Sequence, residues 1–507
     1  MILSKSTIKN ITAADLKLPS PGELDLPEKV LQFGTGVLLR GLPDHLIALA
    51  NSRSEFNGRI VVVKSTANGR TDAFEEQDAL YTLCVRGVED GKKIAYNQVI
   101  PAISRVLSAA SHWDAILECA ANPEMEIIIS NTTEVGISMV KDNMHASPPE
   151  SFPGKLLAFL YHRYKIFNGA ADKGMVVIPT ELIPGNADKL LAIVLEQAHT
   201  HGLEAAFIDW LETANHFCNS LVDRIVPGAF NREQRLAIEA SLGYEDELMI
   251  MSESYALWAI QTDSDLVKSK LSFANSNPEV VLTDDIEKFG ELKIRLLNGS
   301  HSFACGLAVL AGFATVKDAM ENGSFNNYIS SLMLDEIVPA IESSSISSST
   351  AAAFAAKVLD RYRNPFIEHK WISICMNYSS KMALRNIPLL FSYLDKKAAV
   401  PSLMSLGMAA HIAFMRNLEY RDGKFYGKTG EVEYEVNDSN AGWYQQAWVE
   451  NGADKIVQAV LRNEELWQAD LTRIAGLERE VNYWLSELQN KGSQACLAAV
   501  TSKTTAD

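Results

Sequence analysis

The length, composition and charge of this chain exclude several classes of protein. At 507 residues it is too long for one ordinary domain, and the length predicts two or three. Its 47% hydrophobic and 21% charged residues are typical of a folded protein with large cores. The net charge of −17 argues against nucleic acid and anionic membranes as partners, so an anionic ligand needs a local basic site.

The sequence carries no recognisable targeting or membrane signal. Residues 1–21 lack a basic stretch followed by an apolar one, and no apolar run approaches the roughly 20 residues of a membrane span. The six cysteines are scattered without a CxxC pair, which argues against a zinc site and against disulfides. We therefore expect a cytoplasmic protein that binds no metal and has reduced cysteines.

A strand, a glycine turn and a helix are predicted near the N-terminus, over residues 29–33, 34–36 and 37–50. In such a unit the glycines let the backbone approach a diphosphate, and the helix N-terminus favours its charge. The pattern Gly-x-Gly-x-x-x-Arg lacks the third glycine of the usual fingerprint, so a plain tight turn is the alternative. If a nucleotide binds here, the cofactor-binding candidates are Phe33, Gly34, Thr35, Gly36 and Arg40.

Three later segments, 59–63, 126–130 and 174–178, have the composition of buried strands and favour a parallel sheet. Ligands of such sheets gather at the carboxyl ends of the strands. The polar run after residue 130 adds Asn131 and Thr132 as cofactor-binding candidates and Glu134 as a substrate candidate, although an ordinary loop explains it too. Lys64 ends a strand where an NAD enzyme usually has an acidic residue, which leaves NAD or NADP open.

From residue 284 onward the pattern changes to long helical stretches. We predict helices over 293–313, 325–342, 351–363, 400–417 and 453–489. An alternating segment at 419–436 predicts a β-hairpin, and the tail over 492–507 is expected to be frayed. The predicted fold class is therefore an α/β domain with a parallel sheet over 1–283, followed by a mainly α-helical domain over 284–507.

One predicted helix carries three polar side chains suited to proton transfer. At about 100° per residue, Lys293, Asn298 and His301 span an arc of about 140° and share one broad face. A partly desolvated lysine can act as a base, an asparagine amide can donate to a carbonyl oxygen, and a histidine can hold a hydroxyl. On spacing alone, an amphipathic helix whose polar side chains face water is the plainer explanation.

Four motifs occur in an order that resembles one enzyme family. They are Gly34-x-Gly36-x-x-x-Arg40, Ser130-Asn-Thr-Thr-Glu-x-Gly136, Leu221-Val-Asp-Arg-Ile225 and Lys293-x-x-x-x-Asn298-x-x-His301. Together they resemble the mannitol dehydrogenase family of long-chain polyol dehydrogenases, from about residue 29 to about residue 477. The segments 76–83, 131–134 and 364–369 resemble most closely the members that act on sugar acids.

The resemblance implies a Rossmann-type N-terminal domain, a mainly helical C-terminal domain and an active site in the cleft between them. It implies NAD as the cofactor, no metal, and hydride transfer between the nicotinamide and a carbon of a sugar acid, with D-tagaturonate and D-altronate as the expected pair. A fructuronate reductase, a mannitol or arabinitol dehydrogenase, and a nucleotide sensor without turnover are the alternatives. We expect a monomer or a small homo-oligomer.

The resemblance also implies roles for individual residues. Lys293 matches the general acid/base of the family, Asn298 an oxyanion-hole residue and His301 a ligand of a substrate hydroxyl. Asp223 and Lys381 match positions that the polyol enzymes use around the substrate.

The sequence departs from the polyol enzymes where they have an asparagine that completes the oxyanion hole. Glu181 stands there, and a carboxylate cannot donate a hydrogen bond unless it is protonated. We expect nearby Asn186 or a backbone N–H to replace the missing donor. The carboxylate of a sugar acid also needs a cation, for which the candidates are Arg385, Lys381 and Arg361.

Overall fold

A computed structural model of the chain describes residues 1–65, 71–132 and 135–504, with side chains as far as residue 500. The chain divides into two compact units. The N-terminal unit comprises Met1–Arg86 and Ile94–Ile286, and the helical unit comprises Gly87–Lys93 and Glu287–Asp507. Within the described ranges, no helix combines the length and the apolar character needed to cross a membrane.

The N-terminal unit is built on a six-stranded parallel sheet. In chain order its strands are β1 (Glu28–Phe33), β2 (Arg59–Lys64), β3 (Ile103–Ser108), β4 (Ile127–Ser130), β5 (Val176–Pro179) and β6 (His216–Phe217). Their order across the sheet is β3-β2-β1-β4-β5-β6, which is the Rossmann order. The predicted parallel sheet is confirmed, and the reversal of strand order at β1 places the expected ligand site at the carboxyl ends of β1 and β4.

The strands of this sheet are apolar on both faces because helices cover both sides. In β1, Val30 packs into one core and Leu31 and Phe33 pack into the other, as the alternation of side chains requires. The helices of this unit are Val37–Gly41, Pro43–Ser52, Asp72–Glu76, Ala109–Glu118, Phe152–Ile166, Asn186–Thr200, Ala205–Thr213, Arg232–Leu242 and Asp265–Lys270. Single 3-10 turns lie at Ile8–Asn10, Pro21–Leu24, Cys119–Ala121, Ala171–Lys173 and Ser272–Ala274.

Two smaller sheets accompany the parallel sheet, and neither of them was predicted from the sequence. One has five strands, in the order Leu16–Lys17, Lys92–Ile100, Tyr81–Glu89, Ile250–Glu253 and Gly228–Ala229. The other has three, in the order Ser220–Asp223, Leu257–Gln261 and Val280–Thr283.

The helical unit confirms the predicted mainly α-helical C-terminal half. Three of its segments, Lys293–Gly299, Leu332–Ile337 and Met382–Asn386, are π-helical, a form that closes i→i+5 hydrogen bonds and often occurs at functional sites. The α-helices are Glu287–Leu292, Ser300–Leu310, Val316–Glu321, Gly323–Ser331, Val338–Ile341, Ser348–Tyr362, Trp371–Ile374, Tyr378–Lys381, Ile387–Lys396, Ser402–Phe414, Ala441–Arg462, Glu464–Trp467, Leu477–Lys491 and Ser493–Thr504, with a 3-10 turn at Leu471–Arg473.

Two predictions about the C-terminal half need correction on strand and helix boundaries. The segment predicted as one hairpin forms three antiparallel strands, Asn417–Arg421, Lys424–Thr429 and Val432–Glu435, because a second turn occurs at Gly430. The helix predicted over 453–489 is interrupted between Arg462 and Leu477, where the side chain of Asn463 accepts hydrogen bonds from two backbone N–H groups and caps a new short helix.

The tail expected to be frayed is also ordered over most of its length. Ser493–Thr504 is a helix, and its side chains Cys496, Leu497 and Val500 are buried. Leu497 and Val500 follow Cys496 by one and four positions, which places all three on one face of the helix and lets that face pack. For residues 493–504 the expectation of fraying was wrong, because the polar residues around this short apolar face hid it in the sequence.

Candidate active site

The glycine turn after β1 has the geometry of a backbone cradle. Gly34 has a φ of +129°, and a Cβ there would lie 2.9 Å from Leu39 Cδ1 and 3.1 Å from the carbonyl oxygen of Asn131. Glycine is therefore required at this position. A Cβ on Gly36 would meet no atom within 4 Å, so the backbone is open there. A tight turn with open backbone at a strand end fits the diphosphate of a dinucleotide.

Two of the predicted cofactor residues point into the protein. The Phe33 ring is fully buried and packs against the ring of Phe152, with the ring centroids 5.1 Å apart. Only the backbone of Phe33 is therefore available to a ligand. Arg40 is buried as well, with Nη1 donating to the carbonyl oxygen of Leu248 at 2.6 Å and the guanidinium lying over two aromatic rings. This placement gives Arg40 a packing role, and its contact with a cofactor stays a prediction.

Side chains at the ends of β4 and β5 form one hydrogen-bonded edge. Asn131 Nδ2 donates to the carbonyl oxygen and to Oγ1 of Thr180, at 3.1 and 3.0 Å. The buried Glu181 carboxylate accepts hydrogen bonds from the backbone N–H of Thr132 at 2.8 Å and from its hydroxyl at 2.9 Å. It also accepts from Ser130 Oγ at 3.2 Å. Glu181 therefore shapes the loop after β4 instead of supplying an oxyanion donor.

Asn186 is not the missing oxyanion-hole donor. Its buried Nδ2 lies 2.9 to 3.0 Å from the carbonyl oxygens of Pro179, Glu181 and Ser220. Its Oδ1 accepts from the backbone N–H groups of Ala187 and Ser220, at 2.9 and 3.0 Å. Both N–H bonds of the amide are thus engaged by carbonyl groups, and the prediction that Asn186 replaces the lost donor is wrong. A backbone N–H is the alternative that is left.

The other predicted residues of this unit occupy different settings. Asp223 is buried at the end of strand Ser220–Asp223, and its substrate role stays a prediction. Lys64 is 6% exposed at the end of β2. Glu134 lies outside the described residues. The structure thus gathers Gly34, Asn131, Thr132 and Glu181 at one edge of the sheet.

In the ranges described, no group of three or more His, Cys, Asp or Glu residues is arranged to hold a metal ion.

The helix that carries Lys293, Asn298 and His301 is not a regular α-helix. Residues 293–299 are π-helical, and α-helical geometry begins at residue 300. A π turn holds more residues than an α turn, so the arc of about 140° predicted from α-helical spacing is wrong. Lys293 and Asn298 are half-buried and His301 is buried.

Side-chain donors hold the π-helical segment in place. The carbonyl groups of residues 297, 298 and 299 accept hydrogen bonds from Tyr362 Oη at 3.0 Å, Ser302 Oγ at 2.9 Å and Asn386 Nδ2 at 2.9 Å. Carbonyl groups at a π-to-α transition lack some of their usual backbone donors, and these side chains take their place. The backbone of Asn298 is thereby fixed on both sides.

His301 has aromatic neighbours and one unsatisfied atom. Its ring stacks on Tyr362 with centroids 4.2 Å apart and meets His369 and Trp371 edge-on at 5.3 and 5.8 Å. Its Nε2 is buried and has no hydrogen-bond partner within the described part of the chain. A buried polar atom without a partner is costly, so Nε2 marks a place where a ligand hydroxyl would be stabilising.

Basic side chains act electrostatically on this imidazole. Burial holds the pKa of His301 well below its ordinary value, and four neighbours lower it further: His369, Arg361, Arg385 and Lys381. His301 is therefore neutral at neutral pH. Lys381 Nζ donates to the carbonyl oxygen of Ile374 at 2.9 Å, and Arg385 Nη1 donates to Ser302 Oγ at 3.3 Å. We call Arg361, Lys381 and Arg385 the cation cluster, whose charges suit an anionic ligand.

Sequence reasoning assigned no role to His369 or Trp371. Both lie close to His301, yet the sequence indicates no contact between their segment and the helix of His301. His369 belongs to a segment that carried the family resemblance, and its type alone could have suggested a role. Only the fold shows that it faces a second imidazole.

Comparison with known proteins places this chain in a family. Residues 28–272 match the mannitol dehydrogenase Rossmann domain and residues 285–489 match the mannitol dehydrogenase C-terminal domain. Altronate oxidoreductase of Bacillus subtilis (strain 168) is 37% identical over 474 residues, covering 93% of this chain and 95% of that protein. Altronate oxidoreductase of Klebsiella pneumoniae (strain 342) is 36% identical over 473 residues, covering 92% of this chain and 95% of that protein.

A solved structure has the same fold. Pseudomonas fluorescens mannitol 2-dehydrogenase, in a ternary complex with NAD and D-mannitol, has a TM-score of 0.65 at 22% identity, covering 99% of this chain and 100% of that one. The two domain matches together cover most of the chain, and the two relatives are more than 30% identical to it over more than nine tenths of its length. This chain therefore belongs to the mannitol dehydrogenase family of oxidoreductases.

Proposed function

We propose that this chain is an NAD-dependent altronate oxidoreductase, which interconverts D-tagaturonate and D-altronate by lysine acid/base catalysis. The observation that carries the proposal is the cation cluster beside His301 in the helical unit. Both sugar acids bring a carboxylate that a neutral sugar alcohol lacks, and partly buried Arg and Lys side chains are the usual partners of a carboxylate. Relatives named altronate oxidoreductase, similar over more than nine tenths of the chain, support the same substrate.

The N-terminal unit binds the cofactor in this proposal. The backbone of Gly34, Thr35 and Gly36 holds the diphosphate, and the loop of Asn131 and Thr132 lies at the neighbouring strand end. NAD supplies a hydride acceptor when it is bound, and its reduced form supplies a hydride donor. We choose NAD over NADP because the family member solved with D-mannitol contains NAD.

Lys293 is the proton carrier of the proposed reaction. In altronate oxidation its neutral amine accepts the proton of the reacting hydroxyl, and in tagaturonate reduction its ammonium returns a proton to the same oxygen. Asn298 donates an amide N–H to that oxygen and stabilises the negative charge that develops on it. The neutral His301 imidazole holds a neighbouring hydroxyl through Nε2, the atom that lacks a partner within the described residues. The cation cluster binds the carboxylate.

A substrate panel tests the proposed function. Initial rates of NADH oxidation are measured with D-tagaturonate, D-fructuronate and D-fructose side by side, and the series is repeated with NADPH. The expected result is the highest kcat/KM for tagaturonate with NADH. A higher value for fructuronate or fructose would replace the substrate, and a better rate with NADPH would replace the cofactor.

The same panel separates an enzyme from a nucleotide sensor. A sensor needs no proton donor, so a half-buried lysine in the same π-helical segment as Asn298 favours the enzyme. Binding of NADH in a fluorescence titration without oxidation by any of the sugars would favour the sensor.

A further inference from the structure

We propose that His369 makes the cation cluster selective for sugar acids, because its imidazole takes up a proton when the carboxylate of the substrate binds beside it. A neutral sugar alcohol brings no charge and draws no proton to this place. The inference rests on the proposed function, since it takes the ligand to be an anionic sugar acid.

His369 lies where several elements of the helical unit meet. Its ring contacts His301 edge-on at 5.3 Å, and the charges of Lys381 and Arg361 act on it. Its carbonyl oxygen accepts the backbone N–H of Val316 at 2.9 Å, which fixes the backbone of its loop. The imidazole thus lies next to His301 and within the electrostatic influence of Lys381 and Arg361.

The charged groups that act on His369 come from two helices. Helix Ser348–Tyr362 contributes Arg361, helix Tyr378–Lys381 contributes Lys381, and Arg385 acts on the neighbouring imidazole. The acidic neighbour in the chain, Glu368, is exposed and pairs with Lys317 at 3.8 Å. The groups that act on the two imidazoles are therefore basic.

This arrangement keeps the imidazole of His369 neutral until an anion arrives. Burial lowers the pKa of His369, and Lys381 and Arg361 lower it further. A carboxylate among these cations offsets their potential, so the pKa of His369 rises and the imidazole gains a proton. That proton adds a positive charge near the bound carboxylate and strengthens its binding.

The pKa of His369 is higher in the complex than in the free protein. The extra affinity for the sugar acid is therefore fully present below the pKa of His369 in the free protein. It is lost as the pH rises through the pKa of His369 in the complex. Because one pKa unit corresponds to a factor of ten, a rise of about one unit gives about tenfold in affinity. A neutral ligand has no such dependence on His369.

Calorimetry measures the proton uptake directly. The NADH-saturated protein is titrated with D-altronate at pH 5.5, 6.0 and 6.5, each time in two buffers of different ionisation enthalpy. NADH and altronate are both reduced, so the complex forms without turnover. The expected result is a binding heat that differs between the buffers in the sense of proton uptake. Equal heats in both buffers at all three pH values would overturn the inference.

Variants identify the group that takes up the proton. His369→Gln keeps a planar N–H donor that does not titrate, so it abolishes the uptake. Its Kd relative to wild type falls as the pH rises through the pKa of the complex, by about tenfold in total. His199→Gln, a change of an exposed histidine in the N-terminal unit, keeps the wild-type uptake. Undiminished uptake in a folded, NADH-binding His369→Gln variant would contradict the role of His369.

Failure of this inference can be told from failure of the proposed function. If the wild-type protein neither binds nor oxidises altronate, the substrate assignment fails and the inference fails with it. If it oxidises altronate but binds it without proton uptake, the proposed function stands and only the role of His369 is wrong.

Discussion

Lys293 is the residue on which the proposed chemistry depends most. It is half-buried at the first position of the π-helical segment, five residues before Asn298. Lys293→Ala removes the proton carrier, so we expect turnover of altronate to fall about 100-fold or more, the usual scale for a positioned acid/base. NADH binding is expected to change little, because the glycine turn belongs to the other unit.

Steady-state kinetics and an NADH titration check this expectation. Lys357→Ala, which removes an exposed lysine from helix Ser348–Tyr362, serves as the control and should keep wild-type turnover. Near-normal turnover by folded Lys293→Ala would show that another group carries the proton.

Asn186 gives the second prediction at this scale. Its amide joins three carbonyl groups and two N–H groups of the N-terminal unit, so Asn186→Ala leaves buried polar atoms without partners. We expect a loss of about 2 kcal/mol in the free energy of unfolding, with kcat of the folded variant changed only a few-fold. Urea unfolding checks the loss of stability, and kcat measured on the same preparation checks the small change in turnover. A kcat lower by about 100-fold at nearly unchanged stability would restore the oxyanion-hole role.

Single residues show where sequence reasoning succeeds and where it stops. The requirement for glycine at position 34 was foreseeable, because a strand followed by Gly-x-Gly predicts a tight turn. The role of Asn186 was not, because it depends on hydrogen bonds to the backbone of residue 220, far away in the sequence. Distant partners of this kind are set by the fold as a whole.

At the scale of elements, the buried strands were the most predictable. β1, β2, β4 and β5 lie within two residues of their predicted bounds, because a short apolar run that is buried on both faces has few alternatives. The π-helical segments were not predictable. An apolar pattern supports i→i+4 and i→i+5 bonding alike over seven residues, and side chains such as Tyr362 decide between them.

Helix Pro43–Ser52 of the N-terminal unit carries a buried acid, Asp44, close to the glycine turn. Gln32 Nε2 lies 3.4 Å from the carbonyl oxygen of Gly34 and 3.5 Å from Asp44 Oδ2. Burial raises the pKa of Asp44 to about 8. The folded protein therefore holds a proton on Asp44 that the unfolded chain releases near pH 4. Because of this proton, the contribution of Asp44 to the free energy of unfolding becomes more unfavourable as the pH rises from about 4 to about 8.

Asp44→Asn tests this arrangement. The amide keeps the shape of the protonated acid but never ionises, so the variant is expected to be more stable than wild type by about 2 kcal/mol or more at pH 8. The advantage should shrink toward zero as the pH falls to about 4. Urea unfolding of both proteins at pH 5, 6.5 and 8 measures it, and an advantage that does not vary with pH would refute the buried proton.

The whole molecule combines a strongly acidic chain with a local group of cations. The net charge of −17 repels anions in general, whereas the cation cluster offers one place where a carboxylate is stabilised. The two kinds of domain, and three cations as candidates for the carboxylate, could be predicted from the sequence. The action of these cations on His301 could not, because it depends on how the helices pack.

Recognition of the carboxylate of a sugar acid by this protein can be tested with the ratio of two kcat/KM values. D-Tagaturonate and D-tagatose differ only in whether one end is a carboxylate or a hydroxymethyl group, so their kcat/KM values with NADH isolate the contribution of that charge. We expect tagaturonate to be preferred about 100-fold or more, as for a charged group held by partly buried cations. A ratio near one would show that the protein does not recognise the carboxylate.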